Sequence, residues 1–198
     1  LRAELAHVLA ALDREDARAA YAAIRLARPG GLGSVPGEDV RGEPRVTLRE
    51  AMALAADRDA IAREYVTDYA TTFELALPAL DAARGRGLGW PAAIVESYLH
   101  VLAAVPDTLV ARKCGPAAAR AVRRAAARVL AAGPPESEAR RAALARFDAW
   151  LRRPGHPWNP GAAADLTAAA LFVALLPEAA RAARARRGET AWPDTRSS

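Results

Sequence analysis

The sequence predicts an all-α protein: a compact multi-helix domain over residues 1–178, with a central apolar helix near its C-terminal end, followed by a basic and then polar tail over 179–198. Three observations lead there. Apolar residues recur at spacings of three and four almost everywhere. No segment alternates apolar and polar residues with the β-branched enrichment of a strand. Helix start and stop signals punctuate the periodic runs closely enough to make neighbouring helices pack side by side. No clean internal repeat at solenoid periods is present.

The elements follow in order. Leu5, Val8, Leu9 and Leu12 form one apolar stripe, and Asp13 is placed to cap a second helix carrying Ala17, Tyr21 and Ile24. That helix stops at "ARPGGLG" (27–33), with Arg25 and Arg28 in its last turn, where cations suit the negative end of the helix dipole. The loop from Arg28 to Val46 is longer than usual, and loops of that length are functional or disordered. "TLRE" (47–50) is a capping box, in which a hydroxyl and a carboxylate satisfy each other's orphan backbone N–H groups. One long helical stretch then puts Met52, Ile61, Tyr65, Tyr69 and Phe73 inward, is interrupted near Pro78 and ends at "RGRGLG". Pro91 opens the next helix, whose core face is Ile94, Tyr98, Leu99 and Leu102, and Pro106 breaks it. From Pro116 to Ala132, Arg120, Arg124 and Arg128 line one face and Val122, Ala126 and Val129 the other. "GPP" (133–135) stops that helix, and Leu144, Phe147 and Leu151 stripe the following one. After the irregular "RRPGHPWNPG", Asn159 is set to cap a last helix with Pro160 in its first turn. That helix is apolar on all sides through Leu176 and is therefore expected at the centre.

Composition narrows the setting. Cys114 is the single cysteine of the 198 residues, which excludes an internal disulfide framework and a cysteine-built metal site and makes a cytoplasmic location natural. No stretch reaches the roughly 18 apolar residues a membrane span needs, and the N-terminal run is an amphipathic helix rather than a signal peptide, so no membrane partner is expected. The formal charge is +5 and the isoelectric point about 10.1, yet Lys113 is the sole lysine and every other fixed cation is arginine. Solvated arginine faces account for that balance. No aromatic interleaving or recognition helix points to nucleic acid, so none is expected as a partner. A guanidinium fork does match phosphate oxygens, which suits a polyanionic small molecule.

Four stretches carry candidate chemistry. The glycine loop lacks both the Gly-Lys-Ser/Thr of a Walker loop and the preceding strand of a dinucleotide fingerprint, so it is a helix stop first. In "ADRDAIAREYVTDYA", a continuous helix would place Asp57, Glu64 and Asp68 within an arc of about 40°, with Asp59 on the opposite side. Asp57 and Asp68 would lie about 16 Å apart along the axis but Glu64 and Asp68 only about 6 Å, close enough to hold a magnesium ion through waters. Pairing with Arg58 and Arg63 on a wet face is the plainer reading of the same acids. "PDTLVARKCG" gathers Asp107, Arg112 and Lys113 at a helix break, where side chains and free backbone groups are within reach of a ligand, although capping by Asp107 would also explain the pattern. "NPGAAADL" sets Asp165 in the second turn of the apolar helix, where an at least partly buried carboxylate needs an arginine or a site to answer it. His7 and His100 fall off the core faces of their helices, His156 has no second ligand spaced to it, and no Ser-His-Asp or Cys-His order is legible.

Taken together and in this order, "AIRLARPGGLG", "AADRDAIAREY", "PDTLVARKCG" and "NPGAAADLTAAALF" resemble the triphosphoribosyl-dephospho-CoA synthase family over most of residues 13–176. Asp107, Thr108, Arg112 and Gly115, then Pro160, Gly161, Asp165 and Leu166, match its two most specific segments. The resemblance implies an all-helical transferase that takes ATP and 3′-dephospho-CoA, joins C1 of the ATP ribose to the 2′-hydroxyl of the CoA ribose and releases adenine. The product is a prosthetic-group precursor for lyase-type enzymes. It further implies Asp107 and Asp165 as carboxylates near the sugar, where an oxocarbenium-like state favours negative charge. Glu64 and Asp68 would hold Mg2+ with the ATP. Arg25, Arg28, Arg112 and Lys113 would hold phosphates, helped by the backbone at Gly30, Gly31 and Gly33 and by Asn159 and Gly161. The Lys-Pro-Gly-type motif of the family's N-terminal region does not precede Leu1, and "NPGAAADL" is closer to the archaeal and methylotroph-type branch than to the citrate-lyase branch. The expectation is therefore a truncated or divergent member lacking the first part of the family domain, with a homo-oligomer among its expected states. Two rival readings remain: a nucleotide or ADP-ribose glycohydrolase-like helical enzyme, and a non-catalytic helical binding or assembly protein.

Overall fold

The computed structural model describes residues 1–27, 37–155 and 158–186, with side chains as far as Leu176. Among these residues every regular element is helical, in agreement with the predicted class. Helices α1 (Arg2–Ala11) and α2 (Arg14–Ala27) meet where Asp13 Oδ1 accepts from the Glu15 and Asp16 N–H groups at 2.7 and 3.1 Å, the cap expected of it. The stripe of α1 is only half used, since Leu9 is buried and Val8 exposed. Helix α3 (Leu48–Ala53) opens on the complete Thr47/Glu50 capping box.

The long helix expected next is in fact three pieces. After α3 a turn leads to α4 (Ala60–Val66), and a second break leads through a π-helical turn (Thr72–Ala76) into α5 (Leu77–Gly85). Side-chain oxygens cause both breaks by offering the backbone N–H groups another acceptor. Asp59 Oδ1 accepts from Ile61 and Ala62 and starts α4 afresh. Glu64 accepts from the Thr71 and Thr72 N–H groups, while Asp68 and Tyr69 take left-handed backbone angles of φ 50° and 57°. The π turn precedes Pro78, which has no N–H for the preceding turn and whose ring crowds it. A widened turn closed by the Leu77 N–H on the Thr72 carbonyl accommodates both. Helix α5 ends as "RGRGLG" predicts. The Leu88 N–H returns to the Ala83 carbonyl and that of Gly87 to Arg84, with Gly87 at φ 87°.

Pro91 sits in the first turn of α6 (Trp90–Ala104), which packs against α5, α8 (Pro116–Ala131) and α10 (Gly161–Arg186). The short α7 (Thr108–Cys114) lies between α6 and α8, and α9 (Glu138–Leu151) closes on α8. Leu99, Leu102, Val110, Val122, Phe147 and Leu166 are central to the main core, and a smaller cluster gathers Leu80, Ala83, Leu88 and Ala93. Arg120, Arg124 and Arg128 point to solvent as expected.

Two expectations are corrected. Helix α10 is not enclosed on all sides: Ala162, Ala163, Leu166 and Ala170 are buried, but Ala164, Ala168 and Phe172, the last 65% exposed, face outward. The helix lies against α5, α6 and the π turn and is covered on one side only. Helix α10 itself runs from Gly161 to Arg186. Arginine, for its part, is not confined to wet faces. Arg140 is 3% exposed, with its guanidinium on both Glu96 oxygens at 2.7 and 2.9 Å and on the Leu130 and Gly133 carbonyls.

Candidate functional site: a cleft between α2, α3, α4 and α7

Asp107 ends the break after α6 and caps α7, its Oδ1 accepting from the Val110 N–H at 2.9 Å. Its other oxygen, Oδ2, accepts from the Ala163 N–H at 2.8 Å, in the first turn of α10. One carboxylate thus closes two helix N-termini, whose dipoles favour a negative charge. It does so at 2% exposure. Burial pushes the Asp107 carboxyl above its ordinary range; the N–H groups of Ala163, Val110 and Leu109 pull the other way, and the charge of Asp165 adds to the rise. The two helices approach closely: a Cβ at Gly161 would stand 2.6 Å from Leu109 Cδ2, so a larger residue there would have to move the Leu109 side chain.

The next two links join α7 to α4. The Ala60 N–H donates to Thr108 Oγ1 at 3.1 Å, and Arg112 Nη1 donates to Asp59 Oδ2 at 3.1 Å. Segments 59–60, 107–112 and 161–163, far apart in the chain, are therefore fastened to one another at the starts of three helices. Beside this junction lies a cleft of about 1100 Å³ between α2, residues 38–40, α3, α4 and α7. Ile24, Met52, Ile61, Val105 and Pro106 give it apolar walls, and Glu38, Asp39, Asp57, Asp59, Arg58, Arg63 and Arg112 supply its charge. Such a volume, mostly apolar with a few placed polar groups, suits a nucleotide-sized ligand.

Comparison with known proteins identifies what the junction belongs to. Residues 1–184 match the family described as CitG: ATP:dephospho-CoA triphosphoribosyl transferase. The chain is a member of that family. It is 42% identical over 99 residues to the 2-(5''-triphosphoribosyl)-3'-dephosphocoenzyme-A synthase of Klebsiella pneumoniae, a stretch covering 50% of this chain and 35% of the relative. It is also 38% identical over 98 residues to the probable synthase of the same name from Pseudomonas syringae pv. syringae (strain B728a), covering 50% and 33%. The matched stretch spans about a third of the length of these curated relatives. No solved structure matches the chain.

Within this CitG-family chain the sequence-predicted site residues scatter. Arg112 lines the cleft. Arg25 stands at its edge, where its guanidinium donates to the Val40 and Gly42 carbonyls at 2.8 and 3.2 Å and so pins the segment that forms the outer wall. Lys113 is exposed on α7, outside the cleft lining. Arg28, Gly30, Gly31, Gly33 and His156 lie outside the described residues. Asn159 is exposed and its carbonyl accepts from Gly161; the side chain that caps α10 is that of Asp107 instead. Asp165, expected to be at least partly buried, is exposed and makes no hydrogen bond or ion pair among the described residues, because it falls on the uncovered side of α10.

The Glu64–Asp68 pair needs the largest correction. Its 6 Å geometry assumed one helix, and α4 ends at Val66. Glu64 is 1% exposed, with Oε1 on the Thr71 N–H at 3.0 Å and Oε2 on the Thr72 N–H and hydroxyl at 2.9 and 2.7 Å. Asp68 turns to Arg49 at 3.4 Å. Each acid has its own partners, and no group of three or more His, Cys, Asp or Glu side chains fit to hold a metal ion occurs among the described residues. The plainer pairing fails too: Arg58 bonds the Leu54 carbonyl and Arg63 those of Ala56 and Asp57, not carboxylates. Asp59, set aside as facing the wrong way, is the cleft acid that meets Arg112. The break that made it an N-cap, legible as an aspartate just before "AIA", also turned it toward Arg112.

Proposed function

We propose that the chain carries out triphosphoribosyl transfer: the C1–N9 bond of ATP breaks, a C1–O bond to the 2′-hydroxyl of 3′-dephospho-CoA forms, and the hydroxyl proton leaves with adenine. The observation that carries this reading is the cleft itself, walled in part by residues 57–63 and 105–112 of a chain that belongs to this transferase family. Its apolar walls suit the flat base of a nucleotide, and Arg112 supplies a donor fork for phosphate oxygens. Asp107 acts by fixing α7 and α10, since both its oxygens are engaged. Asp165, exposed and unpaired on α10 outside the cleft lining, is the carboxylate we assign to the sugar of the bound nucleotide. Magnesium would arrive on the triphosphate oxygens, an arrangement that needs few protein ligands.

Adenine release from ATP tests the proposal, measured with and without dephospho-CoA. Release that requires the acceptor is the expected result. Release without it transfers the reading to a glycohydrolase, and the absence of both turnover and any ligand-dependent thermal shift favours a non-catalytic protein. Asp165→Asn is expected to lower acceptor-dependent release by at least about 100-fold with an unchanged thermal midpoint.

A further inference from the structure

We propose that Asp59 is a positioning residue, which holds the Arg112 guanidinium toward an anionic group of the ligand in the cleft; this rests on the nucleotide reading given above. The carboxylate is divided between two tasks. Oδ1 accepts from the Ile61 and Ala62 N–H groups at 2.9 and 3.2 Å as the N-cap of α4, and Oδ2 meets Arg112 Nη1 at 3.1 Å. Because Oδ1 is anchored to a helix end, Oδ2 is a fixed post and Arg112 must come to it. The backbones that carry the two groups are themselves in register through the Ala60 N–H on Thr108 Oγ1 at 3.1 Å.

Arg112 differs from the other cleft arginines in what holds it. Arg58 and Arg63 are tied to main-chain carbonyls of the turn before α4. Arg112 is tied to a side chain across the junction, by one hydrogen bond among the described residues, and a guanidinium has five N–H donors. The remaining donors form a fork suited to phosphate oxygens, already oriented before the ligand arrives, which lessens the ordering that binding must otherwise impose. The pair is solvent-reachable, so it adds little to folding and its loss is read in binding.

The test measures binding of ATP and of inorganic tripolyphosphate to the chain, alongside its thermal midpoint. Asparagine caps a helix as well as aspartate does, so Asp59→Asn keeps α4 and removes the charge. The expected result is an unchanged midpoint, with both ligands bound about 3- to 10-fold more weakly in Asp59→Asn and at least about 10-fold more weakly in Arg112→Ala, and no further loss in the double variant. Tighter or unchanged binding in Asp59→Asn makes Asp59 a mere repelling charge and overturns the inference, as does an undiminished Asp59 effect in the Arg112→Ala background. Failure of wild type to bind either ligand overturns it whatever the turnover shows. Tripolyphosphate binding with the expected dependence, but no acceptor-dependent adenine release, leaves the positioning role standing and sinks the transferase reading alone.

Discussion

Helices α6, α8 and α9 run 15, 16 and 14 residues and meet over Leu99, Leu102, Val122, Val129 and Phe147, whereas α3 and α4 on the cleft wall run only 6 and 7. Helices that short are marginal on their own. They persist because Thr47 and Asp59 take up the backbone donors at their starts, Glu64 those at the start of the π turn, and Arg49 and Arg63 bond the Tyr65 and Ala56 carbonyls. The bundle is held by apolar area and, among the described residues, one ion pair with both partners buried; the cleft wall is held by polar links with little core. The difference teaches where each will fail. Truncating a bundle residue costs stability, while breaking a link in the wall moves a boundary of the site.

The largest effect is expected where the bundle breaks its own rule. Glu96→Ala leaves Arg140 charged and buried, with its Nε already lacking a hydrogen-bond partner, and is expected to cost about 3–5 kcal/mol in urea unfolding. Replacing both members by Leu and Met is expected to cost far less, since removing the pair also removes its desolvation. A double replacement as damaging as the single one would mean that the pair is worth more than the apolar contacts around it.

In the wall, Glu64→Ala strands the Thr71 and Thr72 N–H groups and the Thr72 hydroxyl, and is expected to cost about 2–3 kcal/mol. The magnesium dependence of adenine release is expected to stay as in wild type. If the variant instead needs much more magnesium, Glu64 is a metal ligand after all and the wall is not simply structural.

These two sites also mark what the sequence made legible. The faces of α6, α8 and α9 were readable because periodicity reports burial wherever a helix is long and one side is covered. The same periodicity ran unbroken through 48–76, because Met52, Ile61, Tyr65 and Phe73 keep helical spacing even where the backbone departs from helix. What breaks it is the choice between side-chain and main-chain acceptors at Asp59 and Glu64, and that choice depends on partners such as Thr72 that have no fixed spacing. Asp107 was found at its break, but its second bond, to Ala163, spans 56 residues and no local pattern announces it. Arg140 was hidden for the same reason, its partner Glu96 lying 44 residues away.

The smallest effect sharpens the contrast by its sign. In the wall and the joint before α2, backbone N–H groups hold the carboxyls of Glu50 and Asp13 below their ordinary values. A carboxyl lowered by folding stabilises above its unfolded value, and the gain is lost as pH falls through the folded one. Asp107, at the junction with the bundle, is raised chiefly by burial, so its contribution is full below 3.8 and is lost as pH rises through its folded value. Unfolding free energy measured across this acid range is therefore expected to carry opposing slopes. Asp107→Asn should remove the component that falls with rising pH, while Glu50→Gln should remove part of the one that rises. An Asp107→Asn profile parallel to wild type would mean that the N–H groups of Ala163 and Val110 balance burial, and loss of a component that rises with pH would mean that they outweigh it and that the junction is held, like the wall, by an ionised cap.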